Sequence, residues 1–136
     1  VFHVKEMNHV LPLTMDLANP TPGLGWDGCE RLGLKDRGPA DLLLSLALIH
    51  HLVFSGCIPL VEIAKWLSSL TKYALVEFVP PADPMVRKLM KNRGKNHLPY
   101  DLNTFLSSFN RFFQAEDQKT LNNGRILYLF ARKKNV

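Results

Sequence analysis

The run ADLLLSLALIHHLVFSG, residues 40–56, constrains this chain more than any other segment. Within it Asp41 to Ala47 is apolar at every position except Asp41 and Ser45, so the alternation of a half-solvated strand is missing. A short apolar run of this kind, introduced by Gly38-Pro39, reads as a strand buried on both faces, as in a parallel sheet. Periodicity alone leaves a buried helix through His51 open. His50 and His51 interrupt the run and Gly56 closes it, which makes it too short and too polar to span a bilayer.

At 136 residues the chain fits one domain with a real core. An apolar fraction of 46% against 21% charged residues excludes general disorder. Cys29 and Cys57 have no partners at disulfide-framework or zinc spacing and read as small apolar fillers, so no metal site is expected and a reducing, cytoplasmic setting is. The opening VFHVKEMN has no basic head followed by an apolar stretch and is not a signal peptide. A start at Val1 rather than Met fits an excerpt from a longer protein. Arg87, Lys88, Lys91, Arg93 and Lys95 lie in nine residues without an acid and equal the whole formal excess of +5, while Arg132, Lys133 and Lys134 add a basic tail. The reading preferred over phosphate or membrane attraction is a solvated helix face.

Along the chain, Val10 to Met15 reads as a short strand ending at Asp16. Residues 19–39 carry three prolines and five glycines and predict a long irregular connection, with at most a short helix around Glu30 to Leu34 and Trp26 as its anchor. Pro59 opens a helix to about Leu70 with Leu60, Ile63, Ala64 and Leu67 on one stripe. Tyr73 to Val79 is a second buried strand, stopped by Pro80 and Pro81. Asp83-Pro84 caps a helix that ends near Gly94, with Val86, Leu89 and Met90 inward. Asp101 or Asn103 caps a further helix through Phe109. Phe112 to Thr120 and Arg125 to Arg132 form a hairpin across Asn122-Asn123-Gly124. The expected fold is α/β, a mostly parallel sheet with helical cover and a terminal antiparallel hairpin.

In open α/β sheets ligands bind beyond the carboxyl ends of the parallel strands. The polar residues at such ends here are Asp16, His50, His51 and Glu77. Asp16 can accept a hydrogen bond from an adenine amino group or cap the turn that follows it. His51 can serve as a general base, or one histidine packs under the sheet while the other caps a helix. Glu77 points into the cleft or pairs with a basic neighbour. The chain has no glycine-rich dinucleotide loop, P-loop, zinc-protease motif or nucleophile elbow.

The strings MDLANP, ERLGLKDRGPADLLLSLALIHHL and LVEFVPPADPMVRKLM, with Trp26 between the first two, resemble the later part of a class I S-adenosylmethionine-dependent methyltransferase. Within that superfamily they resemble bacterial proteins related to the nodulation protein NoeA, from about Val10 to Arg132. The resemblance implies a Rossmann-like sheet ending in a hairpin whose last-inserted strand is antiparallel. It implies that Val10 to Met15 is the third strand and that Asp16 contacts adenine, with Leu17 beside it. Leu46, Ala47 and Leu48 then end the fourth strand beside the methionine part of the cofactor. His51, with His50 and Glu77 behind it, faces a small-molecule or glycan acceptor. The glycine-rich loop and the acidic residue of the first two strands have no counterpart before Val10, so a C-terminal portion of the domain, inactive alone, is expected. The competing classes are a self-associating interaction module, drawn together by the unpaired edge of Asp41 to Ala47, and a basic nucleic-acid-binding domain. No nucleic-acid partner is expected, because the phenylalanines sit at core spacing rather than among the basic residues.

Overall fold

The computed structural model describes residues 10–93 and 98–134. The opening residues before Val10, the glycine at 94 and the lysine at 95 lie outside the described residues. Four strands and four α-helices follow in the order β1 (Ala40–Ser45), α1 (Ile49–Phe54), α2 (Leu60–Leu70), β2 (Thr71–Phe78), α3 (Pro84–Arg93), α4 (Leu102–Phe109), β3 (Phe113–Thr120) and β4 (Ile126–Arg132).

The strands form one mixed sheet in the order β1-β2-β4-β3. β1 pairs parallel to β2 with Leu43 opposite Ala74, and β4 lies antiparallel to both its neighbours, with Val76 opposite Tyr128 and Ala115 opposite Phe130. The expectation of a mostly parallel sheet is therefore corrected: one pairing of the three is parallel. The reason is β4, which returns across the Asn122-Asn123-Gly124 turn and inserts between β2 and β3. Gly124 sits at φ 78°, the conformation that favours glycine at such a turn.

Local patterning explains most of the elements. In α2 the residues Leu60, Ile63, Ala64 and Leu67 are buried as one stripe, although Pro59 sits at the cap position rather than inside the first turn. Asp101 caps α4: its Oδ1 accepts the Thr104 amide at 2.8 Å and its Oδ2 the Thr104 hydroxyl at 2.8 Å. Asp83 does the same for α3 through the Met85 amide at 2.8 Å, and Val86 is buried there while Arg87, Lys88, Lys91 and Arg93 are exposed. Phe105 and Phe109 of α4 pack with Phe78, Phe113, Tyr128 and Phe130 of the sheet as the centre of the core.

Several expectations change. Val10 to Met15 is not a strand; Val10, Leu11 and Leu13 are exposed, and among the described residues no neighbouring strand gives this segment a ladder. The connection through residues 19–39 is irregular as expected, but its helical turns are 3-10 turns at Trp26–Gly28 and Lys35–Arg37, with a bridge from Leu24 to Arg31, and none lies at Glu30 to Leu34. Trp26 is 88% exposed and is not the anchor of this connection among the described residues; Trp66 of α2 lines the hollows there together with Leu17, Pro20 and Leu34. Cys29 and Cys57 are exposed rather than core fillers. Asp41 to Ala47 does hold a strand, but not one buried on both faces, because β1 ends the sheet: Leu42 and Leu44 are 52% and 59% exposed. The run continues as α1, whose Ile49, Leu52, Val53 and Phe54 are buried.

Candidate functional site

The end of β1 and the end of β2 lie side by side, and the loop that leaves β1 turns sharply. Ala47 takes φ 50°, a left-handed conformation that costs a non-glycine residue about 1 kcal/mol. Its amide hydrogen is donated to Glu77 Oε2 at 2.6 Å. Glu77 is buried, and its other oxygen takes Arg125 Nη1 at 3.3 Å. Arg125, the first residue after the hairpin glycine, reaches Asp83 Oδ2 with Nη2 at 3.0 Å and with Nε at 3.1 Å. One guanidinium thus joins the end of β2, the cap of α3 and the start of β4. Burial pushes the Asp83 carboxyl up, but the hydrogen bonds from the Met85 amide and Arg125 outweigh it and hold the group below the usual carboxylate range.

His50 lies behind this cluster, 2% exposed, its Nδ1 without a hydrogen-bond partner among the described residues. Burial, then the neighbouring His51, lower its pKa to about 4 against the opposing charge of Asp83; Arg125 lowers it further and Glu77 opposes. The imidazole is therefore neutral at physiological pH. The His51 ring stands 4.3 Å from it, centroid to centroid, and is exposed.

On the outer side of α1 a second feature forms. Asp16, Leu17, Leu48 and His51, with Leu52 and Ser55, line a cavity of about 410 Å³. The MDLANP segment reaches it as a turn, not as a strand end. Asp16 Oδ1 accepts the Ala18 amide at 2.9 Å and the Asp16 carbonyl accepts the Asn19 amide at 3.1 Å. The turn-capping reading of Asp16 is thus present, while its Oδ2 takes no hydrogen bond from the described residues. Leu46 and Ala47 are exposed at the end of β1 and do not line this cavity, and Glu77 faces the Arg125 cluster. The structure therefore divides the sequence-derived residues into two groups: Asp16, Leu17, Leu48 and His51 around the cavity, and Ala47, His50 and Glu77 with the charged cluster. Among the described residues no set of three or more His, Cys, Asp or Glu side chains is placed to hold a metal.

Arg125 and Trp66 are the residues that sequence reasoning missed. The signal for Arg125 was its position at the start of β4, which the insertion of that strand brings next to Glu77, 48 positions earlier. Trp66 lies on the partly exposed side of α2, off the buried stripe.

These features define an α/β domain with a mixed four-stranded sheet and a polar cluster at the strand ends. A curated relative carries a more specific name: the chain is 32% identical over 130 residues to the nodulation protein NoeA of Rhizobium meliloti (strain 1021). The match takes in 95% of this chain and 27% of the relative, so the chain spans about a quarter of that protein's length. No protein-family model matches the chain, and no solved structure matches it. Among the described residues no helix is long and apolar enough to cross a membrane.

Proposed function

We propose that this chain supplies the adenine-side and acceptor-side wall of an S-adenosylmethionine-dependent methyltransferase site, in a Rossmann-like sheet of which β1 and β2 are the fourth and fifth strands. The observation that carries the reading is the cavity shared by Asp16, Leu17, Leu48 and His51, which gathers residues more than 30 positions apart, the first three assigned by the sequence resemblance to the cofactor and His51 to the acceptor side. The closing hairpin, with β4 inserted antiparallel between β2 and β3, supports the same reading.

The residues present fit the adenine end of the cofactor. Asp16 Oδ2 is an acceptor for an exocyclic amine, and Leu17 and Leu48 offer apolar walls to a flat purine. The ribose and methionine ends are assigned to residues outside this chain, with Leu46 and Ala47 bordering them. The cofactor supplies an already activated methyl group on its sulfonium. Placement of the acceptor then provides most of the acceleration. His51, exposed at the cavity rim, is the first candidate to take a proton from a hydroxyl or ammonium acceptor. His50 and Glu77 are the second candidates; both are buried, and Glu77 already holds the Ala47 amide and Arg125. A small molecule or glycan is the proposed acceptor class, and the cytoplasm the proposed location.

Calorimetric titration of S-adenosylmethionine into the full-length polypeptide that carries these residues tests the reading. Asp16→Ala is expected to weaken binding about tenfold, the scale of one hydrogen bond to a charged group. Unchanged affinity in that variant overturns the adenine assignment, and absence of binding by the unaltered protein overturns the whole reading.

A further inference from the structure

Leu48 and His51, which line the cavity beside Asp16, are placed by the chain just before them. α1 is six residues long, too short to be rigid on its own, so its placement comes from its buried side chains and from what holds its ends. Arg93 holds the far end, its Nε donating to the Phe54 carbonyl at 2.5 Å and its Nη2 to the Ser55 carbonyl at 2.9 Å. At the near end Leu48 is the cap, and its carbonyl accepts the His51 amide at 2.9 Å and the Leu52 amide at 3.2 Å. The residue that aims Leu48 is its predecessor, Ala47.

Ala47 does not hold that aim alone. At φ 50° it stands in a region that is strained for a residue with a side chain, and it is kept there by Glu77, which accepts its amide hydrogen. Glu77 is in turn a buried carboxylate, and among the described residues Arg125 is the only cation that bonds to it. A buried charge persists where it is paired. With Oε1 engaged by Arg125, Oε2 is left facing the Ala47 amide. Arg125 is itself fixed by two bonds to Asp83, the residue that caps α3. None of these three charged side chains lines the cavity.

We infer that Arg125 is a positioning residue for the proposed cofactor site, acting through Glu77 and the Ala47 turn to set Leu48 and His51 against Asp16. The inference rests on the methyl-transfer reading and adds to it a side chain outside the cavity. Its consequence has the opposite sign to that of charge alone. S-adenosylmethionine carries a sulfonium and an ammonium against one carboxylate and is a net cation. Replacing Arg125 by a neutral residue leaves Glu77 and Asp83 without their counter-charge, which by Coulomb attraction alone would tighten the binding of a cation. Loss of position weakens it.

Two measurements on the full-length polypeptide that carries these residues test this, both well below the melting midpoint of every variant. Calorimetric titration of S-adenosylmethionine into Arg125→Met is expected to show binding weakened about tenfold, the scale of one lost hydrogen bond to a charged group. The nuclear magnetic resonance signal of the Ala47 amide proton, read without cofactor, is expected to move upfield as its bond to Glu77 lengthens. Asp83→Asn keeps an oxygen for the Met85 amide and removes the second anchor of Arg125, so it should change both readouts in the same direction, with affinity down about threefold. It decides the question where Arg125→Met does not fold. Unchanged affinity with an unmoved Ala47 resonance makes Arg125 a purely structural residue and overturns the inference. Tighter binding overturns it in favour of charge alone. In both cases the methyl-transfer reading stands, whereas absence of binding by the unaltered protein overturns that reading and this inference with it.

Discussion

Glu77 Oε2 accepts the Ala47 amide hydrogen at 2.6 Å, linking the buried end of β2 to a residue held at φ 50° after β1. The same carboxylate meets Arg125, so removing it strands two donors at once. Glu77→Ala is expected to destabilise the fold by about 3 kcal/mol, the scale for an unpaired buried partner. Glu77→Gln keeps an acceptor for Ala47 and should cost about half as much. Urea denaturation of the two variants checks this; equal losses would show that the Ala47 bond contributes nothing.

The neutral His50 makes the fold acid-sensitive. Its folded pKa of about 4 lies below the usual 6.5 of an unfolded histidine. The unfolded state therefore binds the proton more readily. The associated stability is fully present above pH 6.5, falls between 6.5 and 4, and levels off below. The loss is on the order of 2–3 kcal/mol. His50→Leu should flatten the denaturation midpoint across that window. A slope identical to that of the unaltered chain would assign the acid sensitivity to other groups.

Phe105 is the ring on which the aromatic core is organised. Its centroid lies 5.0 Å from that of Phe78, 4.4 Å from that of Phe109 and 5.6 Å from that of Tyr128. Phe105→Ala should cost about 3–5 kcal/mol, and Phe105→Leu about 1–2 kcal/mol because much of the volume is kept. Thermal unfolding followed at 222 nm reads both, and a loss below about 1 kcal/mol for the alanine variant would contradict this packing.

Gly124 isolates a backbone effect from a packing effect. A Cβ built there meets nothing within 4 Å, yet φ is 78°. Gly124→Ala should therefore destabilise by about 1 kcal/mol through strain alone, and Gly124→Asn by less, since asparagine tolerates this region. Equilibrium denaturation separates the two, and equal stabilities would remove the strain argument.

Much of the local structure was legible because it is written in nearby residues. The α2 stripe from Leu60 to Leu67, the Asp101 cap and the Asn122-Asn123-Gly124 turn each need only a few neighbours in sequence. What was not legible depends on which strands are adjacent. Asp41 to Ala47 carries the composition of a strand buried on both faces, but among the described residues β1 is an edge strand, and its outer positions stay exposed. Val10 to Met15 has strand-forming residues and no strand to pair with among the described residues. α1 was obscured because Ile49 to Phe54 follows β1 within one apolar run, with no proline or glycine to mark where strand gives way to helix. For the candidate site, Asp16 and His51 could be picked out as polar residues at expected strand ends, whereas the Glu77–Arg125–Asp83 cluster arises from the insertion of β4.

That insertion also sets a timetable. β4 follows β3 in the chain yet lies between β3 and β2, so β2 and β3 have no sheet contact with each other until residues 126–132 exist. On the ribosome, α2 and the parallel β1–β2 pair can assemble early, while Phe113 and Tyr128 wait for the last strand to leave the exit tunnel. A polypeptide stalled just after Thr120 would hold β3 as an unpaired ribbon and leave Phe78 and Phe105 without their main roof. Such nascent chains are where a chaperone that recognises exposed aromatic residues has its opportunity.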